Sequence, residues 1–221
     1  MCHQGFDLAT FDKVSQFKIL KSETYGAFKA MVAQKFGILV EKINFWIFTN
    51  RQNKTVRPDT PIVDKFLTMT MEKVHKEHAK RQNELKLFLN VMDRPFKDKV
   101  WFPRGSLIMI FVKYFDPDLQ SLKGLCHFYI EKFHKVGDII PSLCKAKEFP
   151  PHTHVKIYED EIKPNMIEKM NPKHSFDDSE IQNGDIICFQ KALTKEEVRK
   201  YTAIGFIHDI PTFYEFVNKH A

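Results

Sequence analysis

The hydrophobic positions along this chain change period at regular intervals, and the changes mark out its elements. Residues 14–20 alternate around Phe17 and Ile19, which predicts a strand. Residues 25–36 switch to helical spacing, with Phe28, Met31, Val32 and Phe36 recurring on one side. Ser22 or Thr24 is placed to cap that helix, and Gly37 to end it in the left-handed conformation. Residues 43–48, carrying Phe45, Trp46, Ile47 and Phe48, predict a strong strand. Residues 51–61 are polar and hold Pro58 and Pro61, which predicts a loop or a weak edge strand. Residues 63–80 open with helical spacing (Phe66, Leu67, Met69, Val74) and run into charge. Residues 84–92 alternate Leu85, Leu87, Leu89 and Val91, a strand that closes the unit.

Residues 93–105 then place Pro95, Pro103 and Gly105 among charges, a linker signature. The pattern restarts beyond them. Residues 107–115 and 122–132 predict two strands joined at Asp116-Pro117-Asp118, and hence a hairpin. A helix is predicted over 138–149, with Pro141 in its first turn and Pro150-Pro151 stopping it. Strands follow at 155–158 and 186–189. Thr194 to Glu197 has the form of a capping box opening a short helix to about residue 203, and residues 212–220 resume helical spacing with Phe213, Phe216 and Val217. The second unit thus reads strand–strand–helix–strand–strand, and the first is expected to be a version of the same order. The fold class expected is α+β, one roll of about 90 residues made twice. The predicted boundaries are a lead-in at 1–13, a first domain at 14–92, a linker at 93–105, a second domain at 106–192 and a helical connector at 193–221. The amphipathic helix at the end suggests that a longer protein continues past it.

Composition agrees with folded domains. Of the 221 residues 43% are hydrophobic, and the 21 Phe are unusually many, which argues against disorder. The phenylalanines recur at strand and helix periods and read as core. Net charge is +6 but spread along the chain rather than gathered in a stripe. The cysteines Cys2, Cys126, Cys144 and Cys188 lie far apart without a CxxC, so a reducing, intracellular setting is expected. No apolar run approaches the roughly 18 residues of a membrane span.

One stretch stands out against the basic background. Residues 176–191 read FDDSEIQNGDIICFQK, acidic first and apolar after. Asn183-Gly184 supplies a turn, and Ile186 to Phe189 a buried strand behind it. Residues 155–185 hold eight acids against four lysines. The candidate partner-binding residues are Asp177, Asp178, Ser179, Glu180, Asn183 and Asp185. On charge alone the stretch favours a solvated loop over a docking site for a cationic partner.

The residues themselves go further. HQGFDL (3–8), FVKYFDPDLQSL (111–122), CHFYI (126–130), YEDEIKPN (158–165) and NGDIICFQK (183–191) closely resemble the ubiquitin-specific protease 7 family, also called herpesvirus-associated ubiquitin-specific protease. The similarity is to the first two ubiquitin-like domains after the catalytic domain, dense over 111–191 and sparse over 14–92. The resemblance implies two tandem ubiquitin-like β-grasp rolls followed by a C-terminal helix. It implies a non-catalytic docking module of a nuclear and cytoplasmic deubiquitinase, without cofactor. In that family the second roll offers an acidic turn to Lys/Arg-rich segments of substrates and regulators. The family turn carries four carboxylates; the matching positions here are Ser179, Glu180, Asn183 and Asp185, so two are kept, and Asp177 and Asp178 add charge just upstream. The resemblance leaves open a contact with the parent's own catalytic domain. The last helix resembles the connector toward a third such domain.

Other chemistries carry less. Cys126 and His127 are neighbours on a strand and face opposite ways, so they do not form a thiolate–imidazole pair, and the family's catalytic Cys and His boxes are absent from this chain. His152-Thr153-His154 lacks a third metal ligand. The run Lys73, His75, Lys76, His78, Lys80, Arg81 is interrupted by Glu72, Glu77 and Glu84, which disfavours nucleic acid. Three readings therefore stand: an acidic docking site in the second domain, a basic surface in the first binding nucleic acid or an acidic protein, and a plain structural spacer.

Overall fold

The structure is a computed structural model that describes residues 14–51, 56–80, 82–92, 107–160 and 167–220. The lead-in, the linker and motif residues 3–8 and 161–165 lie outside the described residues. The chain divides into two compact units, one within residues 9–105 and one from residue 106 onward.

The first unit is built on helix α1 (Tyr25–Phe36) and a three-stranded sheet. Thr24 Oγ1 accepts the Ala27 N–H at 3.1 Å, and Gly37 at φ 65° ends the helix; both signals were readable in the sequence. Strand β1 (Ile43–Asn50) lies between β2 (Val56–Ile62) and β3 (Leu87–Val91), antiparallel to both. The residues expected as a loop or weak edge strand do form an edge strand, the position where a proline-bearing strand is tolerated. Ile43, Phe45 and Ile47 point to one face of β1 and meet Tyr25, Phe28 and Val32 of α1. Helix α2 (Met71–His78) starts late because Thr70 caps it, accepting the Lys73 N–H; residues 64–66 form only a 3-10 turn.

One expected strand is not there. Residues 14–20 make no ladder. Phe17 and Ile19 nonetheless pack on the first core, with the Phe17 ring edge-on to Phe28 at 5.8 Å. The alternation records which side chains face the core, not backbone pairing.

The second unit is a four-stranded sheet in the order β5-β4-β7-β6. Its strands are β4 (Leu107–Asp116), β5 (Ser121–Glu131), β6 (Val155–Glu159) and β7 (Ile186–Lys191). The β4–β5 hairpin is antiparallel, while β4 and β7 run parallel at the centre. A 3-10 turn (Val136–Ile139) leads into helix α3 (Ile140–Ala146), which crosses one face. Its Leu143 is buried with Ile108, Ile110, Val112, Ile187 and Phe189. This hairpin–helix–strand order with a parallel central pair is the β-grasp roll. The helix ends three residues earlier than its periodicity predicts, because Glu148 takes a left-handed φ of 56°. Strand β4 is covered on both faces, since Ile108 to Val112 are all buried, including Met109 and Phe111 on the side away from α3.

The two units repeat one local device. In the first, Gly26 donates to the Leu67 carbonyl at 2.9 Å, beside a bridge between Thr24 and Thr70. In the second, Gly137 donates to the Pro172 carbonyl at 2.9 Å, beside a bridge between Lys135 and Ser175.

Two more helices close the chain, α4 (Lys195–Ala203) and α5 (Ile210–His220). The capping box is present: Thr194 Oγ1 accepts the Glu197 N–H at 3.2 Å, and Glu197 accepts the Thr194 N–H at 2.7 Å.

Candidate functional site

The acidic stretch is held from beneath by two apolar anchors, Phe176 and Ile181, each 1% exposed. Between them the chain turns outward. The Phe176 and Asp177 N–H groups donate to the carbonyls of His134 (3.1 Å) and Lys132 (2.9 Å). Asp178 and Ser175 close the turn reciprocally: the Asp178 N–H donates to Ser175 Oγ at 2.9 Å, and the Ser175 N–H to Asp178 Oδ2 at 3.1 Å. Hydrogen bonding from Ser175 holds the Asp178 carboxyl below its ordinary range, so it is ionised at neutral pH. Ser179 Oγ donates to the Ser175 carbonyl at 3.0 Å and is half-buried. Glu180 sits at φ 56°, a strained backbone for a side chain of its size, and its exposed carboxylate has no partner among the described residues. Asp177 is exposed and lies 4.0 Å from Lys132 Nζ.

A second turn follows and is inward-looking. Asp185 Oδ2 accepts the Gln182 N–H at 2.7 Å. Asn183 Oδ1 accepts the Met109 N–H at 2.9 Å, and the Gly184 N–H, at φ 77°, donates to the Met109 carbonyl at 2.7 Å. The Asp185 carbonyl accepts the Phe111 N–H at 2.7 Å. These bonds tie the turn to β4. The six candidate residues therefore divide: Asp177, Asp178 and Glu180 form an exposed acidic corner, while Ser179, Asn183 and Asp185 are half-buried and hold the chain in place.

Asp160 also leaves the acidic surface. Its side chain is 6% exposed and takes bonds from Lys113 Nζ and the Tyr214 hydroxyl, each at 2.5 Å. Charge counting could not see this, because both partners are distant in sequence.

A family model described as the ICP0-binding domain of ubiquitin-specific protease 7 matches residues 43–221. The chain belongs to that family. It is 34% identical over 219 residues to ubiquitin C-terminal hydrolase 13 of Arabidopsis thaliana, covering 96% of this chain and 19% of the relative. It is 32% identical over 197 residues to ubiquitin carboxyl-terminal hydrolase 5 of Schizosaccharomyces pombe, covering 85% of this chain and 18% of that one. The chain thus spans about a fifth of the length of these relatives. Among solved structures, the C-terminal ubiquitin-like domain of mouse tubulin-specific chaperone e aligns over 41% of this chain and 91% of its own, with a TM-score of 0.33 and 11% identity.

Within this member of the ubiquitin-specific protease 7 domain family, the remaining candidates are quiet. Cys126 is buried in the second core, whereas the His127 ring lies beside Phe111 and Tyr129 on the opposite face. Burial pushes the Cys144 thiol up, away from the thiolate form. Among the described residues no helix is long and apolar enough to cross a membrane, and no group of three His, Cys, Asp or Glu is placed to hold a metal. In the first unit, Lys76 pairs with Glu72 at 2.8 Å and Lys73 with Glu77 at 3.7 Å, so α2 neutralises much of its own charge. Arg81 of the same run lies outside the described residues.

Proposed function

We propose that this chain is a non-catalytic partner-docking module of a nuclear and cytoplasmic deubiquitinating enzyme, and that its second roll takes Lys/Arg-rich segments of substrates or regulators at the corner formed by Asp177, Asp178 and Glu180. One observation carries the reading: three exposed carboxylates stand on a turn fixed by reciprocal hydrogen bonds, and Glu180 has no internal partner among the described residues. The family description, which names a binding domain, supports the same class of function. The ion pairs within α2 weigh against the basic surface of the first roll.

The magnitudes set the kind of binding. An exposed carboxylate–ammonium contact is worth about 0.2–1 kcal/mol. Three such contacts contribute up to about 3 kcal/mol, and even a joint contribution of about 6 kcal/mol, counting neighbouring contacts, gives a Kd no tighter than roughly tens of micromolar. Such docking is fast, reversible and weakened by salt. It suits recruitment of a substrate to an enzyme carried elsewhere on the polypeptide.

The test is titration of a Lys/Arg-rich peptide into the two-roll protein at two ionic strengths. Asp177→Arg with Glu180→Arg should abolish binding, and raised salt should weaken it. Asp185 is a poor choice for this test because it holds the turn. Binding that survives the double reversal, or that is lost on Lys76→Glu instead, overturns the proposal.

A further inference from the structure

Helix α5 lies on the sheet face opposite α3. There Ile210, fully buried, with Phe213 and Tyr214 covers Phe115, Tyr158 and Cys188, a small cluster separate from the main core. The Phe213 ring stands 5.1 Å from that of Phe115.

What fastens the helix is polar and made by side chains. Asp160 receives Lys113 Nζ from β4 and the Tyr214 hydroxyl from α5, and the Cys188 thiol lies 3.9 Å from the same hydroxyl. Gln190 brackets the start of α5, donating to the His208 carbonyl at 3.0 Å and accepting the Ile210 N–H at 2.9 Å. Gln120, at the hairpin tip, brackets Ile207 in the same way, at 2.8 and 2.9 Å. Tyr201 of α4 donates to Asp118 at 2.8 Å. These ties contrast with the backbone ladders that hold β4 to its neighbours. Further along, Phe216 and Val217 are 50% and 40% exposed, so the outer half of α5 contributes little burial.

A segment held by side-chain bonds over a small apolar cluster opens at lower free energy than the ladder beneath it. We infer that α5 is a latched strap: it lifts from the sheet as a unit while the β-grasp core stays folded, and the Asp160–Tyr214 bond sets how often it lifts. When it is up, the apolar face of Phe115, Tyr158 and Cys188 is open to solvent. The second roll thus has a closed and an open form, and only the open form bares that face. This inference does not depend on the acidic corner.

Cys188 reports the opening directly, because it is fully buried under the strap while Cys126 is buried in the main core. The native two-roll protein is exposed to a thiol reagent, and modification of each cysteine is followed by peptide-resolved mass spectrometry. Wild type should label at Cys188 ahead of Cys126. Tyr214→Phe, which keeps the ring and removes the hydroxyl, should speed Cys188 by about ten- to a hundredfold, the effect of losing a charge-assisted bond. Cys126 should keep its rate. Cys188 unchanged in the variant, or both cysteines accelerated together, overturns the inference. Should Tyr214→Phe unfold the roll, Gln190→Ala, which cuts the bracket at the start of the helix, supplies the same readout.

Discussion

Gly137 donates its N–H to the Pro172 carbonyl oxygen at 2.9 Å, and a Cβ on residue 137 would lie 2.9 Å from that same oxygen. The contact fixes the entry of the crossing helix against the segment that leads to the acidic corner. Because the obstacle is backbone, it cannot swing aside. Gly137→Ala should therefore destabilise the second roll by roughly 1–3 kcal/mol, read as a lower denaturant midpoint at unchanged slope. Gly26→Ala, facing the Leu67 oxygen at 3.0 Å, should do the same in the first roll.

Lys29 is a buried cation. Its side chain is 4% exposed and lies 2.8 Å from Asp64 Oδ1, while Asp64 is 35% exposed. Removing the acid strands the lysine charge, whereas replacing the lysine by an apolar chain removes the demand. Asp64→Ala should cost on the order of 2–3 kcal/mol, below the fully buried case because water reaches the carboxylate. Lys29→Met should stay within about 1 kcal/mol of wild type. Equilibrium unfolding of the two variants checks the asymmetry.

At Glu180 stability and docking should move in opposite directions. Its φ of 56° strains any residue with a Cβ, and glycine relieves it. Glu180→Gly should hold or raise stability by up to about 1 kcal/mol while weakening a Lys/Arg-rich peptide about two- to fivefold. Thermal melts and a peptide titration on the same variant measure both.

Lys132 competes with an incoming cation for Asp177, at 4.0 Å. Lys132→Ala should tighten the same peptide, by about twofold at low salt, and the gain should fade as salt rises. A loss of affinity would mean that Asp177 is not part of the docking corner.

Glu197 titrates with the start of α4. Hydrogen bonds from the Thr194 backbone and from Lys191 pull its carboxyl from 4.5 to about 2. A depressed folded-state value contributes stability above pH 4.5 and loses it as pH falls toward 2. The α4 amides should therefore lose hydrogen-exchange protection across that window, and Glu197→Gln should abolish the pH dependence.

Caps and periods made much of this fold legible. Thr24, Gly37 and the Thr194–Glu197 box are local signals whose meaning needs no tertiary context, and each stands where the pattern put it. Residues 14–20 misled because a chain lying on a core alternates just as a laddered strand does. At the acidic stretch the sequence supplied the charges but not their directions. Asp185 and Asp178 both accept backbone N–H bonds, yet one faces inward and the other outward. Asp160 was hidden more deeply, since its two partners stand 47 and 54 residues away.

Strand β4 is buried on both faces along Ile108 to Val112. A strand with one wet side tolerates polar replacements at every second position, and this one has no wet side there. A saturation scan along it should return five consecutive intolerant positions, a signature that in an alignment of relatives would be mistaken for a buried helix.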